Sequence, residues 1–462
     1  MTKSVELHPA FKGAFEDKRI AKRASELLEI LTDKRNSSIN FISSDESERR
    51  SFYRLLSNTS FSETSLIENI SNHCRTDSKN RDVVVIQDSS EFNLTAHTKR
   101  LKINSGLGKT NNDDVLGFLL HSSLAIDFET GIALGFSDIQ VWDRGLLTTT
   151  RKERDYKHQP IQAKESNKWL KSVSNTEGVL EDSNSITIVC DRESDIYDLY
   201  FSHTRSNIDY VIRSNFDRRT ESGKTIKTCL SEAETQHTYT IEILGDIRTG
   251  AIKRTAQLSL KWTTVKVMKP KSCLNKKLPG YISLTVVEAA ELNKTDGIKW
   301  ILLTTKEVTT VDQAMKIVQT YKFRWYIEQL HRLLKKEGFK IESSELESGY
   351  SIRKLTLIAM MAALKILQLM VANVSNEEQS IDYVFNDKEV ECLQKVNYKK
   401  EGKTDSQKNP YKEKTIKWAY WIIARLGGWK ANNKQRKAGP ITLQKGLIRF
   451  YDIYEGWILN KT

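Results

Sequence analysis

Two short segments decide the fold of this chain: Val83-Val-Val-Ile-Gln-Asp88 and Ile186-Thr-Ile-Val-Cys-Asp191. Each is a run of β-branched and apolar residues, which is typical of a strand buried on both faces. Each run ends in an aspartate, so both predicted strands carry a carboxylate at their C-terminal end. Ligands of α/β proteins bind in the crevice outside the carboxyl ends of the strands. The two segments therefore predict an α/β sheet with Asp88 and Asp191 at its functional edge.

The order of the other segments predicts a mixed α/β core with a β-rich insertion. Further strands are predicted at residues 117–126, 132–142, 210–213 and 299–304, and helices at residues 164–173 and 193–201. Residues 239–267 and 280–287 are rich in Thr, Ile, Leu and Val, which are typical of strands. We therefore expect the β-rich insertion at residues 215–298.

A long helix is predicted over residues 311–336, which contain neither Gly nor Pro. At about 100° per residue, four polar side chains share an arc of about 60°: Tyr321, Arg324, Glu328 and Lys335. The apolar residues lie on the opposite side, so this helix can dock on a core. Its polar face places one carboxylate among groups that bind phosphate, which suggests chemistry on a nucleic-acid backbone. The alternative is a solvated face, with Arg324 and Glu328 in a surface ion pair worth a few tenths of a kcal/mol.

Composition favours a polyanionic partner. The 462 residues carry a formal net charge of +13, and the sequence pI is about 9.2. Such an excess of Lys and Arg is typical of proteins that bind nucleic acid or an anionic membrane surface. The longest apolar stretch, residues 355–364, is well short of the roughly 20 residues that span a bilayer, so no membrane association is expected. No basic and then apolar N-terminal segment indicates a secretory signal.

Cysteine usage points to a reducing compartment. The five cysteines are odd in number and far apart, and no CxxC pair occurs. Neither a disulfide framework nor a zinc site is predicted. We therefore expect the protein in the cytoplasm.

Both terminal regions are predicted to be helical. Near the N-terminus, residues 17–31 and 44–56 have amphipathic patterns, and they carry the basic and aromatic side chains Arg19, Arg23, Tyr53 and Arg54. A small helical bundle with a basic face is a reasonable DNA-binding module. An ordinary helical cap with solvated arginines is the alternative. From residue 352 the chain is again predicted to be helical, with a Lys-rich loop at residues 399–417.

Asp88, Asp191 and Glu328 form a predicted metal triad. Two carboxylates at strand ends and a third on a packed helix can converge on one point. Hard cations such as Mg²⁺ take oxygen ligands, and two ions about 3.5–4 Å apart can activate a nucleophile and stabilise a leaving oxygen. Asp195 follows in the first turn of the predicted helix. We interpret it as an acid that interacts favourably with the helix dipole.

These motifs resemble a known family, the DDE transposases of bacterial insertion sequences. Tyr321-x2-Arg324-x3-Glu328-x6-Lys335 matches their YREK pattern, and Asp191-Arg-Glu-Ser-Asp-Ile resembles the motif around their second aspartate. Further matches are Gln87-Asp88-Ser-Ser, Lys164-Glu-Ser-Asn-Lys-Trp169-Leu and Leu426-Gly-Gly-Trp. The resemblance covers nearly the whole chain.

The resemblance implies an architecture of three parts. Residues 1–80 would form a helical domain that binds transposon ends. Residues 81–350 would form an RNase H-like catalytic core with the β-rich insertion, and residues 351–462 a helical dimerisation region. Such bacterial enzymes nick transposon ends, form and reopen a DNA hairpin, and join the freed ends to target DNA. A homodimer on double-stranded DNA is implied, because two ends are cut together.

The resemblance also implies roles for single residues. Asp88, Asp191 and Glu328 would hold two Mg²⁺ ions, for which Mn²⁺ can substitute. The phosphates beside the cut would contact Tyr321, Arg324 and Lys335, since Arg offers a bidentate fork and Lys a point charge. Trp300 would stack on a flipped base. The alternative interpretation is that Trp300 only packs within the sheet. Arg213 matches a DNA-contacting position, as do Arg19, Arg23, Tyr53 and Arg54 near the N-terminus.

Three functions are compatible with the sequence. The first is the cut-and-paste transposase. The second is an RNase H-like DNA endonuclease that only hydrolyses, such as a junction resolvase, for which a flipped base at Trp300 has no use. The third is a non-catalytic DNA-binding repressor derived from a transposase, against which the intact triad argues.

Overall fold

The computed structural model describes residues 7–102, 105–110, 115–145, 159–243, 252–294, 296–335, 338–373, 378–430 and 437–461. One ten-stranded sheet lies at the centre of these residues. Its strands are β1 Asp82–Asn93, β2 Gly108–Lys109, β3 Leu116–Asp127, β4 Ala133–Trp142, β5 Ser185–Cys190, β6 Ile208–Arg213, β7 His237–Ile243, β8 Arg254–Met268, β9 Tyr281–Glu291 and β10 Lys299–Thr304. Their order across the sheet is β2-β3-β1-β5-β6-β10-β9-β8-β7, and β4 also pairs with β3.

The first half of the sheet has an RNase H-like topology. Strand β3 pairs antiparallel with both β1 and β4, whereas β5 pairs in parallel with both β1 and β6. Helix α5, residues Asn167–Val179, connects the antiparallel strands to β5. The predicted RNase H-like α/β core is therefore confirmed. The predicted strands at residues 117–126, 132–142 and 210–213 correspond to β3, β4 and β6.

Strand β1 is longer than its apolar run. It extends to Asn93 because its second half pairs with β3, for example Asp88 with Ser122 and Phe92 with Phe118. The prediction that Asp88 ends a strand is therefore wrong. Asp88 instead lies beyond the last residue of β1 that pairs with β5, Ile86. The parallel pairing ends near Asp88, although the strand does not.

The β-rich insertion continues the central sheet. Strands β7, β8 and β9 follow the short helix α6, residues Ile226–Glu232, and form an antiparallel meander. Strand β10 pairs with β9 on one side and with β6 on the other, so it joins the insertion to the core. The insertion and the core therefore share one sheet in the described residues.

Ten further α-helices surround the sheet in the described residues. They are α1 Lys18–Lys34, α2 Ile39–Ile42, α3 Glu46–Ser57, α4 Glu63–Ser78, α7 Val311–Lys322, α8 Trp325–Leu334, α9 Gly349–Met370, α10 Asp387–Lys400, α11 Ile416–Leu426 and α12 Pro440–Leu459. Side-chain caps define several of their starts, as at α1, where Asp17 accepts a hydrogen bond of 2.8 Å from the backbone N–H of Arg19.

 With α5 and α6, these ten ranges make up the twelve α-helices of the described residues.

The predicted helix over residues 311–336 is divided into α7 and α8, and Lys336 lies outside the described residues. Between the two helices the backbone N–H groups bond three residues back, from Arg324 to Tyr321 (3.1 Å) and from Tyr326 to Phe323 (2.9 Å). Such bonds tighten the turn and rotate the side chains away from the 100° spacing of a regular helix. The single polar arc of the predicted helix is therefore wrong. Tyr321 is buried, whereas Glu328 is half-exposed.

The predicted helix at residues 193–201 is also wrong. Two short 3₁₀ turns, Arg192–Ser194 and Tyr197–Phe201, replace it. Asp195 lies between them, so it does not serve a helix dipole. Its side chain is instead fully buried.

The terminal helices share a core with the sheet. Helix α9 is almost entirely buried and packs against α1, α3 and α4, against β4, and against α8, α11 and α12. One continuous apolar cluster contains residues of all these elements. A second, smaller cluster lies on the other face of the sheet, under α5 and α6. No helix in the described part of the chain combines the length and apolar character needed to cross a membrane.

Candidate active site

Asp88 and Asp191 lie side by side at one edge of the parallel strands. The register that pairs Ile86 with Val189 places Asp88 level with Asp191, which directly follows β5. Side chains alternate between the two faces of a strand, so both aspartates project on the same face as Ile86 and Val189. Those two residues belong to the larger core, on the face that α8 covers. The carboxylates therefore meet the helix that carries Glu328.

Helix α8 brings two more charged groups to this face. Ile327 and Leu330 bury its apolar side in the larger core, and the helix packs against β1. Arg324 precedes the helix as its N-cap residue, and its side chain reaches back to the sheet. Its Nη1 donates to Oδ2 of Asp88 at 3.0 Å, and its Nη2 donates to Oε1 of Glu328. One guanidinium therefore links a strand carboxylate to a helix carboxylate.

Burial sets the electrostatics of the two aspartates. It raises the pKa of Asp88, while the positive charge of Arg324 and a backbone hydrogen bond from Ser89 oppose the rise. The pKa of Asp191 is raised by burial and then by the negative charge of Asp88, against the backbone N–H of Glu193. The effect of Asp88 on the pKa of Asp191 places the two carboxylates in one electrostatic environment.

Arg324 is the cation of this cluster. Burial alone would lower the pKa of its guanidinium, but the negative charges of Asp88 and Glu328 raise it, and Asp191 adds to the rise. All three predicted metal ligands therefore act on Arg324 in the DNA-free protein.

The donor set fits a hard divalent cation. Carboxylate oxygens are the ligands that Mg²⁺ and Mn²⁺ prefer, and a pair of aspartates with raised pKa values is a site where added positive charge is favourable. Among the described residues, however, no three His, Cys, Asp or Glu side chains stand close enough together to hold a metal ion. The guanidinium of Arg324 instead bridges Asp88 and Glu328.

The other predicted phosphate contacts lie around the cluster. Lys335 follows the last residue of α8, and its Nζ lies 5.7 Å from the centre of the Phe92 ring. Phe92 is four residues beyond Asp88 on β1, or about 13 Å along the strand at roughly 3.3 Å per residue. Lys335 is therefore a second positive charge beside β1, after Arg324. It lies next to the part of β1 that extends beyond its pairing with β5.

Trp300, Tyr321 and Arg213 form a group at the start of β10. The rings of Trp300 and Tyr321 meet edge to face, with their centres 5.2 Å apart. Burial raises the pKa of the Tyr321 phenol, and the positive charges of Arg324 and Arg213 oppose the rise. Trp300 is half-buried, and Arg213 donates to the backbone carbonyl of Lys299 at 3.3 Å. Tyr321 therefore lies beneath Trp300, with its phenol near both arginines.

The N-terminal candidates lie on α1 and α3. Arg19 forms an exposed ion pair with Asp17, and Arg23 forms one with Glu26 at 2.6 Å. On α3, Tyr53 is half-buried against the larger core and Arg54 is exposed. These contacts are local to the N-terminal helices.

Sequence reasoning missed a role for Lys168 on α5. Its Nζ lies 5.7 Å from the ring centres of both Trp142 and Trp169. Burial lowers its pKa, and the negative charges of nearby acids, Asp88 among them, oppose the change. Its charge in turn acts on Asp191. The Lys164–Trp169 motif was the available signal, but it specifies no contact with a carboxylate 80 residues away in the chain.

Sequence reasoning also missed the role of Asp195, which anchors the loop that follows β6. Its Oδ2 accepts hydrogen bonds from the backbone N–H groups of Asn215 (2.8 Å) and Phe216 (3.2 Å). Its Oδ1 accepts from Nη2 of Arg218 at 2.7 Å, and this ion pair is buried. The loop presents the ring of Phe216, which is 55% exposed, beneath the Arg218 guanidinium. The Asp191-Arg-Glu-Ser-Asp segment contained the signal, since a second aspartate follows Asp191 by four residues.

The chain was compared with known families and structures. Residues 79–365 match the family described as "Transposase DDE domain", and residues 11–61 match "Transposase DNA-binding". A cryo-EM structure of a piggyBac transposase synaptic complex with hairpin DNA is similar at 9% sequence identity, over 99% of this chain and 82% of that one, with a TM-score of 0.40. That likeness is too weak to carry an argument, whereas the DDE match covers more than half of the chain. The chain therefore belongs to the DDE transposases, enzymes that cleave DNA with the help of divalent metal ions.

Proposed function

We propose that this protein is a cut-and-paste transposase of the YREK type, encoded by a bacterial insertion sequence. It would nick the transposon ends, form and reopen a hairpin there, and transfer the freed strands into target DNA. The proposal is carried by one observation: Arg324 contacts both Asp88 and Glu328, beside Asp191, on one face of the sheet. Four residues of the predicted motifs therefore lie near one another, although 103 residues separate the two aspartates in the chain.

The carboxylates would hold the metal. Asp88, Asp191 and Glu328 offer only oxygen donors, which suits Mg²⁺, with Mn²⁺ as a substitute and two ions as the expected number. When bound, such ions activate the attacking oxygen and stabilise the leaving oxygen of the phosphodiester. Each step would be a phosphoryl transfer at this same site.

The positive groups would hold the DNA backbone. Arg324 lies beside the carboxylates and offers two parallel donors to a phosphate, whereas Lys335 offers a point charge further along β1. Their separation along the strand suits two successive contacts on one DNA strand. Tyr321 is buried beneath Trp300, so its contact with a phosphate would be made through its hydroxyl near Arg213.

Trp300 would receive a base flipped from the DNA end. Its ring is half-buried and rests on Tyr321, which would hold it in position for stacking. Stacking of a base on an aromatic ring is worth about 1–3 kcal/mol and offsets part of the cost of flipping. Arg213, beside it, would contact the adjoining phosphate.

The remaining parts of the chain would position the DNA and the partner. Residues 1–80 would bind the transposon ends through Arg19, Arg23, Tyr53 and Arg54, and residues 351–462 would form the dimer contact. The match of residues 11–61 to a transposase DNA-binding family supports the first assignment. A homodimer would act on the two ends in the bacterial cytoplasm.

Cleavage of end-bearing DNA tests the proposal. The duplex would carry the inverted repeats that flank the coding region, and the products would be separated on a denaturing gel. With Mg²⁺ we expect nicked and hairpin products from the wild-type protein. Asp88→Ala, Asp191→Ala and Glu328→Ala should each abolish cleavage and retain DNA binding. Asp82→Ala is the matched control, since Asp82 is an exposed acid at the start of the same strand β1.

The outcomes separate the alternatives. Cleavage retained by any of the three variants would contradict the triad. Nicks without hairpins, unchanged in Trp300→Ala, would instead support a nuclease that only hydrolyses. Binding without any cleavage by the wild-type protein would support the repressor.

A further inference from the structure

We propose that Arg324 couples DNA binding to metal binding, an inference that rests on the proposed function. Its guanidinium bridges Asp88 and Glu328, two of the carboxylates that would hold a metal ion. When a DNA phosphate draws Arg324 away, both carboxylates become free to bind metal. The residue would then be a switch between two partners as well as a phosphate contact.

The hydrogen bonds of Asp88 provide the first argument. Its Oδ1 accepts the backbone N–H of Ser89 at 2.8 Å, and its Oδ2 accepts Nη1 of Arg324 at 3.0 Å. Both carboxylate oxygens therefore already have donors. A Mg²⁺ ion requires its oxygen ligands at about 2.0–2.1 Å, and it would repel a guanidinium bound to the same oxygen. Metal binding at Asp88 thus requires Arg324 to move.

Charge balance provides the second argument. Asp88 and Arg324 expose only about a fifth of their side chains, 19% and 20%, so the charge of either is costly without a partner. Asp191 adds a second negative charge to the same environment. Arg324 can therefore leave only when a cation replaces it at the carboxylates and an anion receives it. Metal ion and DNA phosphate together meet both conditions.

The chemistry of arginine permits this exchange. A guanidinium binds carboxylate and phosphate with the same forked geometry, so it can exchange one for the other. Arg324 lies at the junction of α7 and α8, where its side chain can turn without any change in the core face of α8. Glu328, 46% exposed, lies on the open side of the cluster.

Coupling of this kind is reciprocal. If DNA increases the affinity for the metal by some factor, the metal must increase the affinity for DNA by the same factor, and typical factors are about 5- to 150-fold. The coupling depends on Arg324 alone, so a variant without its charge should bind metal equally well with and without DNA.

The test is Mn²⁺ binding to the full-length protein, with free Mn²⁺ measured by electron paramagnetic resonance. The DNA would be a precleaved duplex of the flanking inverted repeat with a 3′-dideoxy end. For the wild-type protein we expect a Kd for Mn²⁺ at least about fivefold lower with DNA. Arg324→Gln should bind Mn²⁺ at least about fivefold more tightly than the wild type without DNA, and DNA should add little.

Lys316→Gln is the control, since it removes an exposed positive charge on α7 that has no part in the proposed site. It should keep the wild-type Mn²⁺ affinity without DNA. If Arg324→Gln does not fold, Arg324→Met replaces it, because methionine also lacks the positive charge and has an unbranched side chain. An Arg324 variant that binds Mn²⁺ no more tightly than the DNA-free wild type, or keeps the full gain with DNA, would overturn the coupling. Hairpin formation by the wild-type protein would still stand in that case, so the two proposals fail separately.

Discussion

At Asp191, function and stability oppose each other. The carboxylate is partly buried beside the negative charge of Asp88, and both effects raise its pKa. A metal ion would turn this unfavourable charge into a ligand, but the metal-free protein bears the cost. Asp88 differs, because its ion pair with Arg324 compensates it. Replacing Asp191 and replacing Asp88 should therefore affect the stability of the metal-free protein differently.

We expect Asp191→Asn to stabilise the metal-free protein while it abolishes cleavage. Because the pKa of Asp191 is raised on folding, the folded protein keeps this proton to higher pH than the unfolded chain. That stabilisation is present at acidic pH and is lost as the pH rises through the folded-state pKa. Asparagine never ionises and still accepts the N–H of Glu193. The gain in Tm over wild type should therefore grow from pH 4 to pH 8, to about 1–3 °C.

Differential scanning fluorimetry in EDTA measures this effect. Asp452→Asn, on the exposed side of α12, is the control and should leave Tm unchanged at both pH values. A gain for Asp191→Asn that is equal at pH 4 and pH 8 would show that ionisation is not its cause.

At the scale of elements, the edge of the sheet near the candidate site depends on how the loop after β6 is anchored. Strand β6 ends at Arg213, and the loop that follows is fastened by Asp195 through two backbone N–H groups and the buried ion pair with Arg218. Trp300, the second residue of β10, lies at this same edge, because β10 is antiparallel to β6. The candidate base-stacking residue and the exposed Phe216 are thus presented by neighbouring strands.

We expect Asp195→Ala to release this loop. Removing one partner of a buried ion pair leaves the other charge uncompensated, at a cost of about 3–5 kcal/mol. Hydrogen-exchange mass spectrometry of a peptide covering residues 214–219 should show exchange at least about tenfold faster. Glu232→Ala is the control, since its ion pair with Lys224 is exposed and worth at most about 1 kcal/mol. Unchanged exchange in Asp195→Ala would mean that other contacts hold the loop.

At the scale of the whole molecule, α9 joins the N-terminal helices, the sheet and the C-terminal helices in one core. Arg353 on α9 illustrates this. Its Nη2 donates to Oε2 of Glu63 on α4 at 2.6 Å and to the backbone carbonyl of Val141 on β4 at 3.0 Å, and its Nη1 reaches Oδ2 of Asp143 at 3.3 Å. The side chain is 9% exposed. One buried cation therefore connects all three predicted parts of the chain.

We expect Arg353→Ala to destabilise the molecule as a whole, by about 3–5 kcal/mol, because two carboxylates lose a buried partner. Calorimetry should show a single unfolding transition in the wild-type protein, shifted to lower temperature in the variant. Lys102→Ala is the control, since its ion pair with Glu347 is exposed. Two separate transitions in the wild type would mean that the parts unfold independently, despite their common core.

The fold class of this protein can be predicted from its sequence, because apolar periodicity identifies strands and helices without knowledge of their partners. The two aspartate-bearing runs, the YREK spacing and the β-rich insertion all led to the RNase H-like core that the structure contains. Local errors occurred where long-range pairing decides. Strand β1 extends past Asp88 only because β3 lies beside it, and Asp195 has a role only because the loop after β6 returns to it.

The arrangement of charge was decided by the tertiary structure alone. Periodicity places Arg324 and Glu328 one turn apart, but it cannot show that the same guanidinium also reaches Asp88, 236 residues earlier in the chain. The pKa values of the aspartates likewise depend on burial and on neighbours from other elements. The physical reason is that a residue's spacing is a local property of the chain, whereas its electrostatic environment is a sum over everything that folding brings near it.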